Sequence, residues 1–135
     1  MPITTGLRGE ASVTVDERNT AIAMGSGDVP VFSTPALLAV MEHAAINAVR
    51  PRLEEGQVTV GVSANIRHLA ATPIGKRVRA EAEVTNVEGR RITYAVRAFD
   101  AVEKVGEGTH ERVIVDKENF MWKAATKGSK PSMSS

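Results

Sequence analysis

The fold is decided by residues 34–51, which read TPALLAVMEHAAINAVRP. Thr34 stands before a proline and an apolar run, an order typical of a helix N-cap followed by proline in the first helical position. A helix is therefore predicted to begin at Pro35 and to end at Val49 or Arg50, because the proline that closes the stretch disfavours helical conformation in the residue before it. Five alanines give this helix little bulk, so a sheet could approach it closely and curve around it.

Alternation with a period of two predicts strands on both sides of the helix. Residues 9–15 alternate apolar and polar side chains and form the first predicted strand. A second strand begins near Gln57, after the helix. By the same count, the side chains on its apolar face are Val58, Val60, Val62, Ala64, Ile66 and His68. His68 is therefore predicted on the side that packs against the helix.

The remaining sequence predicts a hairpin and a last strand. The hairpin turn falls at Glu88-Gly89. The apolar positions of its two strands are Val78, Ala80, Ala82, Val84, Ile92, Tyr94, Val96 and Ala98. The last strand covers residues 105–116, and one of its faces carries Gly106, Gly108, His110 and Arg112. Glycine at two of these positions predicts a bulge or the close approach of a bulky group.

The predicted order is one strand, a lid-like loop at residues 19–30, one helix and four strands. Short turns between the four strands favour antiparallel pairing, so the sequence predicts an α+β fold in which a five-stranded antiparallel sheet wraps one long central helix. A single helix covers only part of such a sheet. The uncovered surface and the free edge strands therefore predict dimerisation.

The length of 135 residues and a hydrophobic content of 42% predict one domain with its own core. This domain is expected to cover residues 1–122. Residues 123–135 are rich in lysine, serine, threonine and glycine and have no periodicity. They are predicted to form a disordered tail.

Composition and charge exclude several classes of function. Seventeen basic residues balance sixteen acidic ones and are scattered, and aromatic residues make up 4% of the chain, so no nucleic-acid partner is expected. The absence of cysteine excludes thiol nucleophiles and disulfides and is compatible with a reducing compartment. The first residues lack a signal-peptide pattern, and no stretch approaches the roughly 18 apolar residues of a membrane span. A soluble, cytoplasmic protein without a membrane partner is predicted.

The motifs of metal and nucleotide sites are also absent from the sequence. His43, His68 and His110 do not have the spacing of a zinc pair, so no metal is expected. The chain contains no Gly-x-Gly-x-x-Gly or Walker loop and no Gly-x-Ser-x-Gly elbow. Chemistry on nucleoside triphosphates is therefore disfavoured.

Three residues are the candidates for chemistry: Thr34, Glu42 and His68. Thr34 either only caps the helix or also acts at the helix start, where free N–H groups favour negative charge. Glu42 has apolar neighbours three and four residues away, so it either pairs with Arg67 or Arg112 of a distant strand, or is a desolvated proton acceptor with a raised pKa. His68 is either a core histidine or a contact of Glu42. A hydroxyl, a carboxylate and an imidazole together suggest hydrolysis without cysteine or serine.

The chain also carries a set of motifs that resemble a known group of enzymes. They are VFST at 31–34, LAVME at 38–42, HLAATP at 68–73, VEGRR at 87–91 and GTHER at 108–112. On these motifs the sequence, over about residues 9–122, resembles the fluoroacetyl-CoA thioesterase-like branch of the hotdog-fold acyl-CoA thioesterases. The resemblance implies a hotdog fold paired as a homodimer, with the substrate channel at the subunit interface, and leaves open whether dimers pair further.

The resemblance also implies roles for individual residues. Similar enzymes use a threonine, a glutamate and a histidine as their catalytic set, so these roles fall to Thr34, Glu42 and His68. Gly61 and Arg112 match positions that face the thioester and the coenzyme A portion, and they are the implied substrate-binding residues. The implied reaction is hydrolysis of a short-chain or otherwise activated acyl-CoA to the free acid and coenzyme A. Coenzyme A is part of the substrate, and no separate cofactor is expected.

One departure from the group concerns the lid. Gly25 and Asp28 stand where the fluoroacetyl-specialised relatives place aromatic residues, so a fluorine-selective pocket is not expected. Two alternative functions remain open on the same fold. One is a non-catalytic acyl-CoA binding module, and the other is an enoyl-CoA hydratase, whose closely spaced Asp and His are absent from this chain.

Overall fold

The computed structural model describes residues 2–129, which form a five-stranded sheet and three α-helices. In chain order the strands are β1 (Arg8–Thr14), β2 (Gln57–His68), β3 (Arg77–Glu88), β4 (Arg91–Phe99) and β5 (Lys104–Asp116). The helices are α1 (Ala21–Met24), α2 (Thr34–Val49) and α3 (Lys117–Ala125), and the 3₁₀ turn Arg50–Arg52 follows α2. Within residues 2–129, no helix has the length and apolar character needed to cross a membrane.

The sheet is antiparallel throughout and has the strand order β1-β3-β4-β5-β2. Helix α2 packs mainly against β1 and β3, and the core lies between this helix and the sheet. Its buried side chains include Leu37, Met41, Ala44, Ala45, Val78, Ala80, Val84, Ile92, Tyr94 and Val96. The predicted α+β arrangement, a five-stranded antiparallel sheet wrapped on one long helix, is confirmed, and it is the hotdog architecture.

Helix α2 begins differently from the prediction. The hydroxyl oxygen of Ser33 accepts a hydrogen bond of 3.1 Å from the backbone N–H of Ala36, so Ser33 is the N-cap and Pro35 lies in the first turn. The prediction that Thr34 caps the helix is wrong, because the serine one residue earlier already supplies the capping oxygen. The hydroxyl of Thr34 is consequently available to the sheet. At the other end, α2 ends at Val49, as predicted, and the chain continues into the 3₁₀ turn Arg50–Arg52.

Small residues bring the sheet close to α2. Gly9 of β1 has no room for a side chain, because a Cβ there would overlap backbone atoms of Ala44 and Ala48. A Cβ at Gly106 of β5 would lie 2.8 Å from Leu37 Cδ2. The predicted close approach of sheet and helix is confirmed. It lets polar side chains of β5 reach the polar side chains of α2.

Strand β2 contains a bulge that the sequence pattern did not predict. Its pairing with β5 shifts by one residue between Gly61 and Ser63, so Val62 is an extra residue in the ladder. An extra residue inverts the alternation of side chains along a strand. Gly61 therefore faces α2 together with His68, although the two positions are seven residues apart. The prediction of one continuous apolar face from Val58 to His68 is wrong for the residues before the bulge.

Helix α3 is a further element that the sequence pattern did not predict. Asp116 caps it by accepting a hydrogen bond of 3.0 Å from the backbone N–H of Asn119. The predicted domain boundary after Trp122 falls inside this helix, and residues 123–125 are helical rather than disordered. Residues 130–135 of the predicted tail lie outside the described residues.

Candidate active site

A threonine and a histidine meet at the start of α2. Thr34 Oγ1 lies 2.8 Å from Nδ1 of His68, the last residue of β2. Burial lowers the pKa of His68 from its ordinary value of 6.5, so the imidazole is neutral at pH 7 and can take up a proton. Its Nε2 atom is buried and has no hydrogen-bond partner within residues 2–129. The pair can exchange a proton, while the second ring nitrogen is buried without a hydrogen bond from the described residues.

Glu42 lies further along α2 and faces β5. Its Oε2 atom accepts a hydrogen bond of 3.1 Å from Arg112 Nη1 and lies 3.9 Å from His110 Nε2. The carboxylate side chain is 37% exposed, so it is paired on one side and open to solvent on the other. The sequence analysis named Arg67 and Arg112 as possible partners of Glu42, and the structure shows the bond to Arg112.

The guanidinium of Arg112 is held by several acceptors. Its Nε atom donates to Thr59 Oγ1 at 2.9 Å, and Nη2 donates to the Thr59 carbonyl at 3.0 Å. Arg112 is 5% exposed, and its Nη1 atom serves both Glu42 and His110. These contacts direct the charge towards the carboxylate of Glu42. The implied contact of Arg112 with coenzyme A stays a prediction.

Gly61 of β2 lies beside Glu42, Arg112, His110 and Thr59, and these five residues form the Glu42 cluster. A Cβ at this position would lie 2.6 Å from Glu42 Oε2 and 3.3 Å from Arg112 Nη1. The missing side chain is therefore what leaves space for the carboxylate in its present position. It also keeps one face of the carboxylate clear of protein atoms.

Replacing Gly61 by alanine is expected to displace the carboxylate of Glu42 without unfolding the protein. The atom that the new methyl would meet first is the end of a flexible side chain, which can rotate away. For the acyl-CoA hydrolysis that the sequence motifs imply, we expect kcat to fall about tenfold or more. The melting temperature should shift by only a few degrees. Steady-state assays and thermal denaturation measure the two effects. An unchanged kcat would mean that the position of this carboxylate does not matter to the reaction.

The two clusters remain apart within one protomer. Eight residues separate Thr34 from Glu42, which corresponds to about 12 Å along the helix axis. In the part of the chain that the structure describes, Glu42 bonds to Arg112, and the expected direct contact between Glu42 and His68 is not formed. The structure thus brings Thr34 together with His68, and Glu42 together with Gly61 and Arg112.

A cavity of about 440 Å³ lies beside Thr34 and His68. Its walls come from the predicted lid, which contains α1, and from the segment that follows β2. The wall residues include Ala21, Ser26, Gly27, Val29, Val31, Leu69, Ala70 and Ala71. Among the described lining residues, His68 is the ionisable one. The wall suits an uncharged, largely apolar group.

His110 and Thr59 belong to the Glu42 cluster, and sequence reasoning missed both in this role. The signal for His110 was present, because it precedes Arg112 by two residues and side chains at this spacing share a strand face. Thr59 gave no such signal, since a regular β2 would turn it away from the helix. Within residues 2–129, no group of three His, Cys, Asp or Glu side chains is arranged to hold a metal ion.

Comparison with known families decides the relationship of this chain. Residues 15–118 match the family model described as "Fluoroacetyl-CoA-specific thioesterase". The chain belongs to the fluoroacetyl-CoA-specific thioesterase family. The match spans every residue of both clusters, and the family resemblance read from the sequence motifs is confirmed.

Relatives of known name and structure agree with this family. A fluoroacetyl-CoA thioesterase from Streptantibioticus cattleyicolor is 41% identical over 97 residues, which are 72% of this chain and 70% of the relative. A solved structure of the fluoroacetyl-CoA thioesterase superimposes with a TM-score of 0.88 at 33% identity, covering 94% of this chain and 98% of the other. A thioesterase superfamily member from Thermus thermophilus gives a TM-score of 0.83 at 28% identity, covering 93% of this chain and 95% of the other.

Proposed function

We propose that this protein is an acyl-CoA thioesterase, which hydrolyses a short-chain or otherwise activated acyl-CoA to the free acid and coenzyme A. The observation that carries the proposal is the hydrogen bond of 2.8 Å between Thr34 Oγ1 and His68 Nδ1 at the edge of an apolar cavity. A neutral imidazole bonded to a hydroxyl is the arrangement that general-base chemistry needs. Membership of the thioesterase family supports the same reaction.

In the proposed reaction, Thr34, Glu42 and His68 act as one catalytic unit. Where water attacks directly, its oxygen forms the new C–O bond at the thioester carbon as the C–S bond breaks, and His68 passes the proton that it takes from the water to the departing thiolate of coenzyme A. Where Thr34 or Glu42 attacks first, the same C–S cleavage leaves an acyl-enzyme, and a water molecule then hydrolyses it to the free acid. The start of α2 lies beside the reacting carbonyl, where the helix dipole favours the negative charge that develops on oxygen.

We further propose a homodimer in which each Thr34–His68 pair works with Glu42 of the partner subunit. Glu42 of the same protomer is about 12 Å away along α2 and is bonded to β5, whereas His68 Nε2 has no partner within residues 2–129. β2 is the last strand of the sheet, and its residues 61–65 are exposed. Antiparallel pairing of two such edges would set the His68 end of one β2 beside the Gly61 half of the other.

Mixed dimers test the shared site. Chains with His68→Ala and chains with Glu42→Gln should each be inactive alone. If the acid comes from the partner, every mixed dimer has one intact site, and refolding the two variants together should restore about one quarter of wild-type activity. No recovery in a sample with verified mixed dimers would show that the acid acts within its own chain.

The acyl group that we propose is uncharged. The described residues around the cavity beside His68 offer no lysine or arginine to pair with a second carboxylate. The lid has Gly25 and Asp28 where the specialised relatives place aromatic residues, so we propose no selectivity for fluorine. Acetyl-CoA, butyryl-CoA, fluoroacetyl-CoA and succinyl-CoA form a suitable panel, and succinyl-CoA should be the poorest substrate.

Release of free thiol from this panel tests the proposed function directly. Wild-type protein should hydrolyse at least one uncharged acyl-CoA, and Glu42→Gln should lose that activity while the protein remains folded. Binding without thiol release would show that the protein is an acyl-CoA binding module and not an enzyme. Loss of absorbance from an enoyl-CoA on the same samples would instead indicate a hydratase.

We also propose that hydrolysis needs no metal or separate cofactor. The proposed steps use a hydroxyl, an imidazole and a carboxylate, and none of them requires a Lewis acid. Dialysis against EDTA is therefore expected to leave kcat and KM unchanged. Loss of activity that is restored by adding a divalent metal would contradict this prediction.

A cytoplasmic location is part of the proposal. The chain contains no cysteine, which is compatible with a reducing compartment. Immunodetection after cell fractionation should find the protein in the cytoplasmic fraction. Detection in a secreted or membrane fraction would contradict it.

A further inference from the structure

His110 is a buried histidine whose two ring nitrogens both make hydrogen bonds. Its Nδ1 atom lies 2.7 Å from the carbonyl oxygen of Ser63, and its Nε2 atom lies 3.2 Å from Arg112 Nη1. A carbonyl can only accept and a guanidinium can only donate, so Nδ1 carries the proton and Nε2 is the acceptor. The contacts therefore specify a neutral imidazole in a single tautomer.

The position of this ring is fixed from two directions. Ser63 directly follows the extra residue of β2, so the bulge sets the position of the carbonyl that binds Nδ1. On the β4 side, the ring stacks on Tyr94 with a centroid distance of 6.0 Å and an interplanar angle of 27°. Burial raises the pKa of Tyr94 to about 12, so its ring stays uncharged beside the imidazole. With a side chain only 2% exposed, His110 has little freedom to move.

We propose that His110 is a positioning residue for Glu42, acting through Arg112. By accepting one N–H of Arg112 Nη1, the imidazole orients the guanidinium so that the same nitrogen donates to Glu42 Oε2. His110 does not touch the reacting atoms in this role. The inference rests on the proposed thioesterase function, because it gives His110 a part in presenting the carboxylate of that reaction.

Protonation of His110 would reverse this arrangement. The ionisable groups close enough to act on it are Arg112, Glu42 and Tyr94, together with Glu111 of the opposite strand face. Burial is the main cause that lowers the pKa of His110; Arg112 lowers it further, whereas the Ser63 carbonyl and the two carboxylates raise it. A protonated Nε2 could no longer accept from Arg112 and would instead attract Glu42 Oε2, now 3.9 Å away. The carboxylate would change partners, so the active form needs His110 neutral as well as His68.

The tautomer can be measured on the unaltered protein by ¹⁵N NMR of the histidine rings. We expect His110 to be neutral at pH 7 with the proton on Nδ1, and to gain a second proton only below the ordinary histidine value of about 6.5. Finding the proton on Nε2, or a charged ring at pH 7, would overturn the inference. This result does not depend on activity, so it stays informative if the protein hydrolyses no acyl-CoA and the proposed function fails.

Two substitutions test the positioning role by its effect on turnover. His110→Leu removes the acceptor, and we expect kcat to fall about tenfold with a smaller change in KM. His110→Gln can offer an amide oxygen near the position of Nε2, and it should recover kcat to within about threefold of wild type. His43→Gln is the matched control, because His43 is an exposed histidine of α2 outside both clusters. A wild-type kcat in folded His110→Leu would overturn the proposal.

The pH profile separates positioning from a purely structural role. If both His68 and His110 must be neutral, the acid-side slope of log kcat in the wild type approaches two at pH values below both histidine pKa values, whereas the slope for His110→Gln approaches one. An identical acid limb in wild type and His110→Gln would overturn the inference. If His110→Leu does not fold, the glutamine variant and the tautomer measurement decide the question.

Discussion

Replacing His68 by alanine is expected to lower kcat/KM for acyl-CoA hydrolysis by about a thousandfold. The substitution removes the proton acceptor that lies 2.8 Å from Thr34 Oγ1. Because burial lowers the pKa of His68, the imidazole is in its basic form at pH 7, and this form is lost only as the pH falls below 6.5, its ordinary value. Steady-state kinetics of the purified variant measure the effect, and activity of the wild type should decline on the same acid side.

His43→Ala is the matched control for this substitution. His43 is an exposed histidine on the same helix as Thr34, so its replacement removes an imidazole without touching the Thr34–His68 pair. Its kcat/KM should stay close to the wild-type value. If folded His68→Ala keeps more than about a tenth of wild-type kcat/KM, His68 is not the general base of the reaction.

Replacing Arg112 by leucine is expected to destabilise the fold by about 3 kcal/mol, equivalent to about 10 °C in melting temperature. Arg112 is 5% exposed and bonds to Thr59, Glu42 and His110, so its removal leaves buried acceptors without a donor. Glu42 contributes less to this cost, because its carboxylate is 37% exposed and can turn towards water. Thermal and urea denaturation, monitored by circular dichroism, measure the loss.

Arg67→Leu provides the comparison for Arg112→Leu. Arg67 is an exposed arginine of β2, so losing it should change the free energy of unfolding by no more than about 0.5 kcal/mol. Equal effects of the two substitutions would mean that the bonds of Arg112 add nothing beyond a surface charge. Since Arg112 holds Glu42, its replacement should also reduce turnover in the fraction that remains folded.

Much of the fold follows from periodicity in the sequence. The helix from Pro35 to Val49 was predictable from a capping residue and a proline before a long apolar run. A structure with one such helix and several period-two segments has few ways to bury its apolar side chains. The hairpin at Glu88-Gly89 was predictable because glycine there adopts φ 62°, a conformation that other residues rarely take. These features depend on local pattern, and local pattern is what a sequence displays directly.

The errors have a different physical origin. Ser33 and Thr34 are both good capping residues, and only the path of the chain into the helix decides which hydroxyl meets the free amide. The bulge at Val62 depends on the pairing of two distant strands, so no run of adjacent residues reports it. The pairing of Glu42 with Arg112 likewise requires the sheet to be in place.

The same difference between local pattern and long-range contact applies to the candidate site. The sequence placed Thr34 near the start of the helix and His68 at the end of the apolar strand beside it, but the contact that it suggested for His68 was Glu42, whereas the structure shows Thr34. Their separation from Glu42 could not be read in this way, since eight residues of helix look close in sequence and span about 12 Å in space. The proposal that a second protomer supplies the carboxylate rests on that distance.

The extra residue in β2 makes the length of this segment a constraint in its own right. Gly61 and His68 are an odd number of positions apart, and they point the same way only because Val62 is inserted between them. A homologue lacking one residue in this interval would turn one of the two outward, even if both amino acids were present. When related sequences are aligned, a gap between positions 61 and 68 is therefore a stronger sign that the site is lost than a substitution nearby.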